Sequence, residues 1–151
     1  MAVVPIGIAR AALDAFKERA RTKRPHRSRR PLRFDPTALR ELGRAELHVR
    51  SAEALLFTAV DDVWRTVTAR RRPPLEQGAR LRMGCVNAGV SAAEAADIVY
   101  RLGGSASIFE GNRLERAFRD VHTATRHGAL APQTLDVVGR VLLGLDTQGL
   151  L

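Results

Sequence analysis

Apolar residues recur along most of this chain at steps of three and four, the spacing that gathers them on one face of an α-helix. Ala9, Leu13, Phe16 and Ala20 predict a first helix from about Val3 to Arg21. Pro5 falls in or near its first turn, where a missing N–H does no harm. From Thr22 to Phe34 the period lapses and two prolines intervene, so this stretch reads as a long loop. Asp35-Pro36 pairs an N-cap acceptor with proline at the first helical position. Leu39, Leu42, Ala45, Val49, Ala52, Leu56, Val60, Val63 and Val67 then form one stripe. It predicts a helix to about Arg72, the longest of the chain at roughly 55 Å. Such a helix is stable only if partners cover its stripe.

Pro73-Pro74 ends that helix and opens a third, from about Leu75 to Leu102. Its inward stripe is Ala79, Cys85, Ala88, Gly89, Ala92 and Ala96, small enough for close approach of helix axes. Gly103-Gly104 stops it. A short apolar turn over Ser105 to Phe109 leads to a fourth helix, from about Asn112 to His127, closed by Gly128. Leu114, Phe118, Val121 and Ala124 share one of its faces. Pro132 opens a fifth, with Leu135, Val138, Leu142 and Leu145 on one face. The pattern predicts an all-α fold: an antiparallel four-helix bundle with additional short helices, one domain over 1–151.

Composition agrees. Apolar residues make up 45% of the 151 and aromatics only 5%. That balance favours closely packed helices over a sheet. A chain of this length can bury roughly 70% of its unfolded surface, enough for a real core. Cys85 is the single cysteine, which excludes an internal disulfide and points to a reducing, cytoplasmic setting. No basic segment precedes a short apolar run at the N-terminus, and no stretch approaches 18 uncharged apolar residues, so neither a signal peptide nor a membrane span is expected.

The net charge of +9 is concentrated. Lys17, Arg19, Arg21, Lys23, Arg24, Arg27, Arg29, Arg30 and Arg33 face a lone Glu18, leaving the remainder close to neutral. Clustered cations can neutralise phosphates. This loop, at about 22–34, has no interleaved aromatics for base stacking and no helix-turn-helix spacing beside it, so it reads as a solvated linker and not as a nucleic-acid site.

Three strings, in order, carry a family resemblance. They are Gly7-Ile-Ala-Arg-Ala-Ala-Leu-Asp14, Tyr100-Arg-Leu-Gly-Gly-Ser-Ala-Ser-Ile-Phe109, and Leu114-Glu-Arg-Ala-Phe-Arg-Asp120 followed by His127. Together they resemble the C-terminal domain of the acyl-CoA dehydrogenase superfamily. The third resembles the pattern of its flavin-dependent monooxygenase branch, which includes the oxygenase component of p-hydroxyphenylacetate hydroxylase. The resemblance implies the C-terminal part of an oxidoreductase that uses reduced flavin, FMN or FAD, with O2, and that is inactive alone. It also implies a homotetramer, a flavin reductase, and an N-terminal helical and a middle β-barrel domain that these 151 residues do not contain. Alternatives are the same domain of an acyl-CoA dehydrogenase, or a non-enzymatic helical oligomerisation module.

Candidate chemistry is sparse. The resemblance assigns His127 a catalytic role, hydrogen-bonding a substrate oxygen and assisting proton transfer at the flavin. By sequence alone the leading reading of His127 is a helix-terminal residue that interacts with the last carbonyls and the dipole, and only the resemblance reverses that order. Asp120, two turns earlier on nearly the same face, is placed to favour one tautomer. Gly103, Gly104 and Ser105 form either a plain helix stop or, as the resemblance implies, a cofactor-binding loop whose N–H groups approach a flavin phosphate. Glu110 in Phe-Glu-Gly-Asn precedes the Leu114–Asp120 string, whereas the dehydrogenase motif follows it, so it is not read as a catalytic base. Arg116 and Asp120, at i and i+4, form either a weak exposed pair or a buried positioning device. Cys85 lacks a neighbouring base and reads as an inert buried thiol; Trp64 reads as packing. His26, His48, His122 and His127 have no metal-ligand spacing, so no metal is expected.

Overall fold

The computed structural model describes residues 1–24 and 30–149. Five α-helices follow in order: α1 (Val3–Ala20), α2 (Pro36–Thr68), α3 (Leu75–Gly103), α4 (Arg113–Ala124) and α5 (Leu135–Leu142). Short 3-10 turns lie at Leu32–Phe34, Ser105–Ile108, Gly128–Leu130 and Pro132–Thr134. No strand occurs among the described residues. His26, Arg27 and Arg29 of the basic loop lie outside them.

α3 is the central element, packed by α1, α2, α4 and α5. Its small residues make this possible: Ala88, Ala92, Ala95 and Ala96 are fully buried among Ala9, Leu13 and Phe16 of α1 and Ala45, Val49, Ala52 and Leu56 of α2 in one continuous core. Gly84 belongs to the same device, since a Cβ there would sit 3.1 Å from the Cα of Leu56. The six-residue link between α2 and α3 returns the chain on itself, so these two long helices run antiparallel along each other. α1 and α2 are clamped by Arg10, whose Nε donates to Glu53 at 2.9 Å and whose Nη1 donates to Glu46 at 2.8 Å.

Local signals placed the starts well and the stops less well. Asp35 caps α2 by accepting from the Ala38 N–H at 2.9 Å. Helix α2 stops at Thr68, short of the expected Arg72, because Arg70 turns left-handed at φ 56° and the Arg71 N–H reaches back to the Thr66 carbonyl. The stripe of α2 is buried only in its middle. Leu39, Val60 and Val67 are exposed, and Trp64, expected as packing, is 66% exposed. α1 has 18 residues against 33 in α2, about 27 Å against about 50 Å, so it cannot cover that length. In α5 the expected face is also corrected. Val137 and Val138 are the buried pair, packed on Ala79 with Met83 and Val141 beside them, while Leu135, Leu142 and Leu145 are exposed.

Candidate functional site

The C-terminal end of α3, the 3-10 turn after it and α4 form one corner of the bundle. Asn112 fixes their relation. Its Oδ1 accepts from the Leu114 N–H at 2.9 Å, capping α4, and its Nδ2 donates to the Ala106 carbonyl at 2.6 Å. Leu114 and Val121 then bury against the core, which turns the Phe118 and His122 side of α4 towards Asp97 and Tyr100 of α3. The rings of Tyr100 and Phe118 stack at 4.5 Å between centroids. His122 meets Phe118 edge-on at 4.6 Å, and its Nε2 lies 2.8 Å from Asp97 Oδ1. A proton on Nε2 is donated to the Asp97 carboxylate. Tyr100, Phe118 and His122 line an open hollow of about 620 Å³, together with Ile108, Arg119 and Arg126.

Gly103, Gly104 and Ser105 lie at the adjoining corner. Gly103 is required by packing: a Cβ would fall 1.9 Å from Ser107 Oγ and 2.7 Å from Leu114 Cδ1. Gly104 turns left-handed, at φ 66°. The Lys23 ammonium donates to the Gly103 carbonyl and stands over Gly104, 2.8 Å from where a Cβ would be. Burial, with Arg19 as the lesser cause, holds the Lys23 pKa below the usual value. Lys23 was read only as part of the basic run; its reach across the bundle to a loop 80 residues away has no local signal.

His127 is not on α4. That helix ends at Ala124, and His127 has φ −65° and ψ 130°, capping the next 3-10 turn. The chain breaks there because Leu130 must turn back to bury against α3, where it meets the space above Gly89. The shared face expected for Asp120 and His127 is therefore lost, and Asp120 instead pairs with Arg116 at 3.5 Å. That pair is exposed and contributes about the few tenths of a kcal/mol usual for such pairs. His127 itself is exposed, and its Nδ1 accepts from the Ala129 N–H at 3.2 Å. The neutral ring then carries its proton on Nε2, a free donor. Among the described residues, no hydrogen bond or ring contact joins His127 to Gly103, Gly104 or Ser105.

The Asp97–His122 pair escaped the sequence reading, which weighed His122 only as a metal ligand. A signal existed: Asp97 and Tyr100 are three apart, and Phe118 and His122 four apart, so each pair shares a helix face. Glu110 is exposed in the turn before α4. Cys85 is half-buried beside the core, and burial pushes its thiol above the ordinary value. Among the described residues, no group of three or more His, Cys, Asp or Glu is placed to hold a metal, and no helix is long and apolar enough to cross a membrane.

Comparison with known proteins places this architecture. The indole-3-acetate monooxygenase of Acinetobacter baumannii is 28% identical over 145 residues, covering 96% of this chain and 37% of that protein. A pigment production hydroxylase of Rhodococcus erythropolis is 35% identical over 117 residues, covering 76% of this chain and 30% of that protein. The structure of XiaF from Streptomyces sp., in complex with FADH2 and glycerol, superposes with a TM-score of 0.90 at 28% identity, covering 97% of this chain and 37% of that one. The HsaA monooxygenase of M. tuberculosis superposes with a TM-score of 0.81 at 26% identity, over 95% of this chain and 37% of that one. The chain thus spans about a third of the length of these relatives. Residues 1–132 match the family described as acyl-CoA dehydrogenase, C-terminal domain, and the chain belongs to that family.

Proposed function

We propose that this chain is the C-terminal part of a flavin-dependent monooxygenase, an oxidoreductase that hydroxylates an organic substrate. The observation that carries the reading is that proteins named as monooxygenases and hydroxylases align along most of it. The His127 turn supports it. A histidine outside the helix, with Nδ1 engaged by a backbone N–H, offers Nε2–H to a substrate oxygen. His127 is thereby suited to hold that oxygen and move a proton there, help worth about 10²–10⁴ in rate.

The flavin is FMN or FAD, and the FADH2 complex of XiaF favours FAD. The residues at the end of α3 fit its phosphate end. Gly104 exposes backbone without a side chain, Ser105 adds a hydroxyl, and the Lys23 ammonium supplies a cation beside them. The reduced flavin, when bound, supplies the electrons with which O2 is activated. One such wall does not make a site, so the N-terminal helical and β-barrel domains of the family complete it, on the same or another chain, with a flavin reductase delivering reduced flavin.

The enzyme works as a homotetramer, in the cytoplasm. Apolar surface supports self-association. Phe57, Val60, Trp64 and Val67 are exposed at steps of three and four along α2, a stripe that nothing among the described residues covers. The small-residue stripe of α3, in contrast, is used up inside the bundle.

The test restores the other two domains by co-expression or fusion to a relative's. His127→Ala should then lose about 10²-fold or more in substrate oxidation, with flavin binding and helicity unchanged. Oxidation at near the parent rate would reduce His127 to a turn cap and remove the support it gives this reading.

A further inference from the structure

We propose that the hairpin tip joining α2 to α3 docks on the anionic surface of a lipid bilayer. Every residue from Val67 to Leu75 except Pro73 is exposed. Arg70, Arg71 and Arg72 stand in a row there, and their side chains have no ion pair or hydrogen bond among the described residues. The acids on either side do not offset them. Asp61 and Asp62 hold Arg65 at 3.1 and 2.7 Å, and Glu76 stands alone in the first turn of α3. The positive charge of the tip is therefore uncompensated. Arg70 adds a second observation. It lies in the left-handed region at φ 56°, where a helix stop is least strained with glycine. A side chain kept against that preference marks a demand other than stability. Apolar groups flank the cations. Trp64 is 66% exposed and Leu75 53%, and Val67, one turn from Trp64, is exposed too. Unpaired arginines beside an exposed indole and aliphatic groups match the boundary of an anionic bilayer. There the guanidinium groups meet lipid phosphates, the indole sits at headgroup level and the aliphatic groups enter the acyl boundary. A nucleic acid matches less of the tip, because aliphatic groups do not stack on bases and one indole makes no platform. The basic segment at about 22–34 is less available. Lys23 is bonded to the Gly103 carbonyl, and Arg33 lies 4.8 Å from the ring centroid of Phe34.

This docking does not rest on the monooxygenase reading. It is compatible with a second copy seated on Phe57 and Val60, since the arginines and Leu75 lie beyond that part of the α2 stripe. Trp64 is the sole tryptophan, so its emission reports on the tip. The full chain is titrated with phosphatidylcholine vesicles in which roughly a quarter of the lipid is phosphatidylglycerol, and separately with pure phosphatidylcholine vesicles. The expected result is a saturating blue shift and co-sedimentation with the anionic vesicles alone, both lost in high salt. Each arginine at such a surface is worth about fivefold, so Arg70→Gln, Arg71→Gln and Arg72→Gln together should weaken binding about 100-fold. Removing as many charges from the basic segment, by Arg21→Gln, Arg24→Gln and Arg33→Gln, should weaken it less than about tenfold. Leu75→Ser should weaken it at least about threefold without changing its salt dependence. All these positions are on the surface, and far-UV circular dichroism shows that each variant is folded. No binding at about 1 mM lipid, where a single acyl anchor would already be mostly bound, overturns the proposal. Equal binding to both kinds of vesicle does so too, as does binding that the basic-segment variant loses and the tip variant keeps. Tip-dependent binding to a DNA oligonucleotide in place of vesicles would overturn it in favour of a nucleic-acid partner.

Discussion

Replacing Gly103 by alanine separates two readings of the glycine loop. In an ordinary helix the change should stabilise, since glycine costs about 1 kcal/mol relative to alanine. At Gly103 the new methyl would lie 1.9 Å from Ser107 Oγ, 3.2 Å from Ser107 Cβ and 2.7 Å from Leu114 Cδ1. Ser107 is 0% and Leu114 2% exposed, so neither can swing into solvent. Overpacking typically costs about 1–3 kcal/mol, and a separation of 1.9 Å lies at the upper end, so after the gain of about 1 kcal/mol in propensity the net loss is about 2 kcal/mol. Urea unfolding followed by far-UV circular dichroism should show a lower midpoint with an unchanged slope. Heating should show Tm down by roughly 2–4 °C per kcal/mol lost. Ser107→Ala supplies the partner measurement. Ser107 Oγ is buried without a hydrogen bond, and it is the nearest obstacle to the new methyl. Removing it should stabilise the parent by up to about 1 kcal/mol and recover part of the Gly103→Ala loss, a coupling read from the double-mutant cycle. A Gly103→Ala variant as stable as the parent would refute the packing argument and leave the glycine to be explained by a ligand.

The Arg10 clamp should matter at neutral pH and fade in acid. Hydrogen bonding from Arg10 is the largest cause holding the Glu46 and Glu53 carboxyls below their usual pKa. Groups depressed by folding stabilise above the unfolded carboxylate range, near pH 4.3, and that contribution is lost as pH falls through the folded values. Arg10→Ala should therefore cost about 1–2 kcal/mol at pH 7 in urea titrations and much less at pH 3; an equal cost at both would show that the clamp acts by packing. Cys85, its thiol raised by burial, should react with a thiol reagent at pH 8 at least about tenfold more slowly in the native chain than in urea, and equal rates would contradict its placement. Finally, titration of FMN or FAD into this chain alone should show weak binding and no turnover, since one wall of a site does not offset the cost of ordering a ligand. Tight stoichiometric binding would mean that Lys23, Gly104 and Ser105 suffice.

Much of this protein is legible residue by residue because its signals are local. The stripe Ala9, Leu13, Phe16 and Ala20 is buried as spaced, Asp35 caps α2, and the small residues of α3 lie in the core. Periodicity and capping depend on neighbours within one or two turns, so sequence alone determines five helices and the family strings they carry. What the tertiary structure decided is which part of each stripe has something to lie against. The sequence cannot reveal that α1 is too short to cover α2, so the exposure of Trp64 could not be read from its spacing. Nor can it reveal that Leu130 turns back onto α3, which cuts α4 at Ala124 and moves His127 away from the face of Asp120. The same holds for Asp97 and His122, 25 residues apart, and for Lys23 and Gly103, 80 apart. Such contacts arise because burial of a nonlocal apolar surface fixes where each helix ends and which side faces its neighbour, and polar side chains then pair wherever packing has left them.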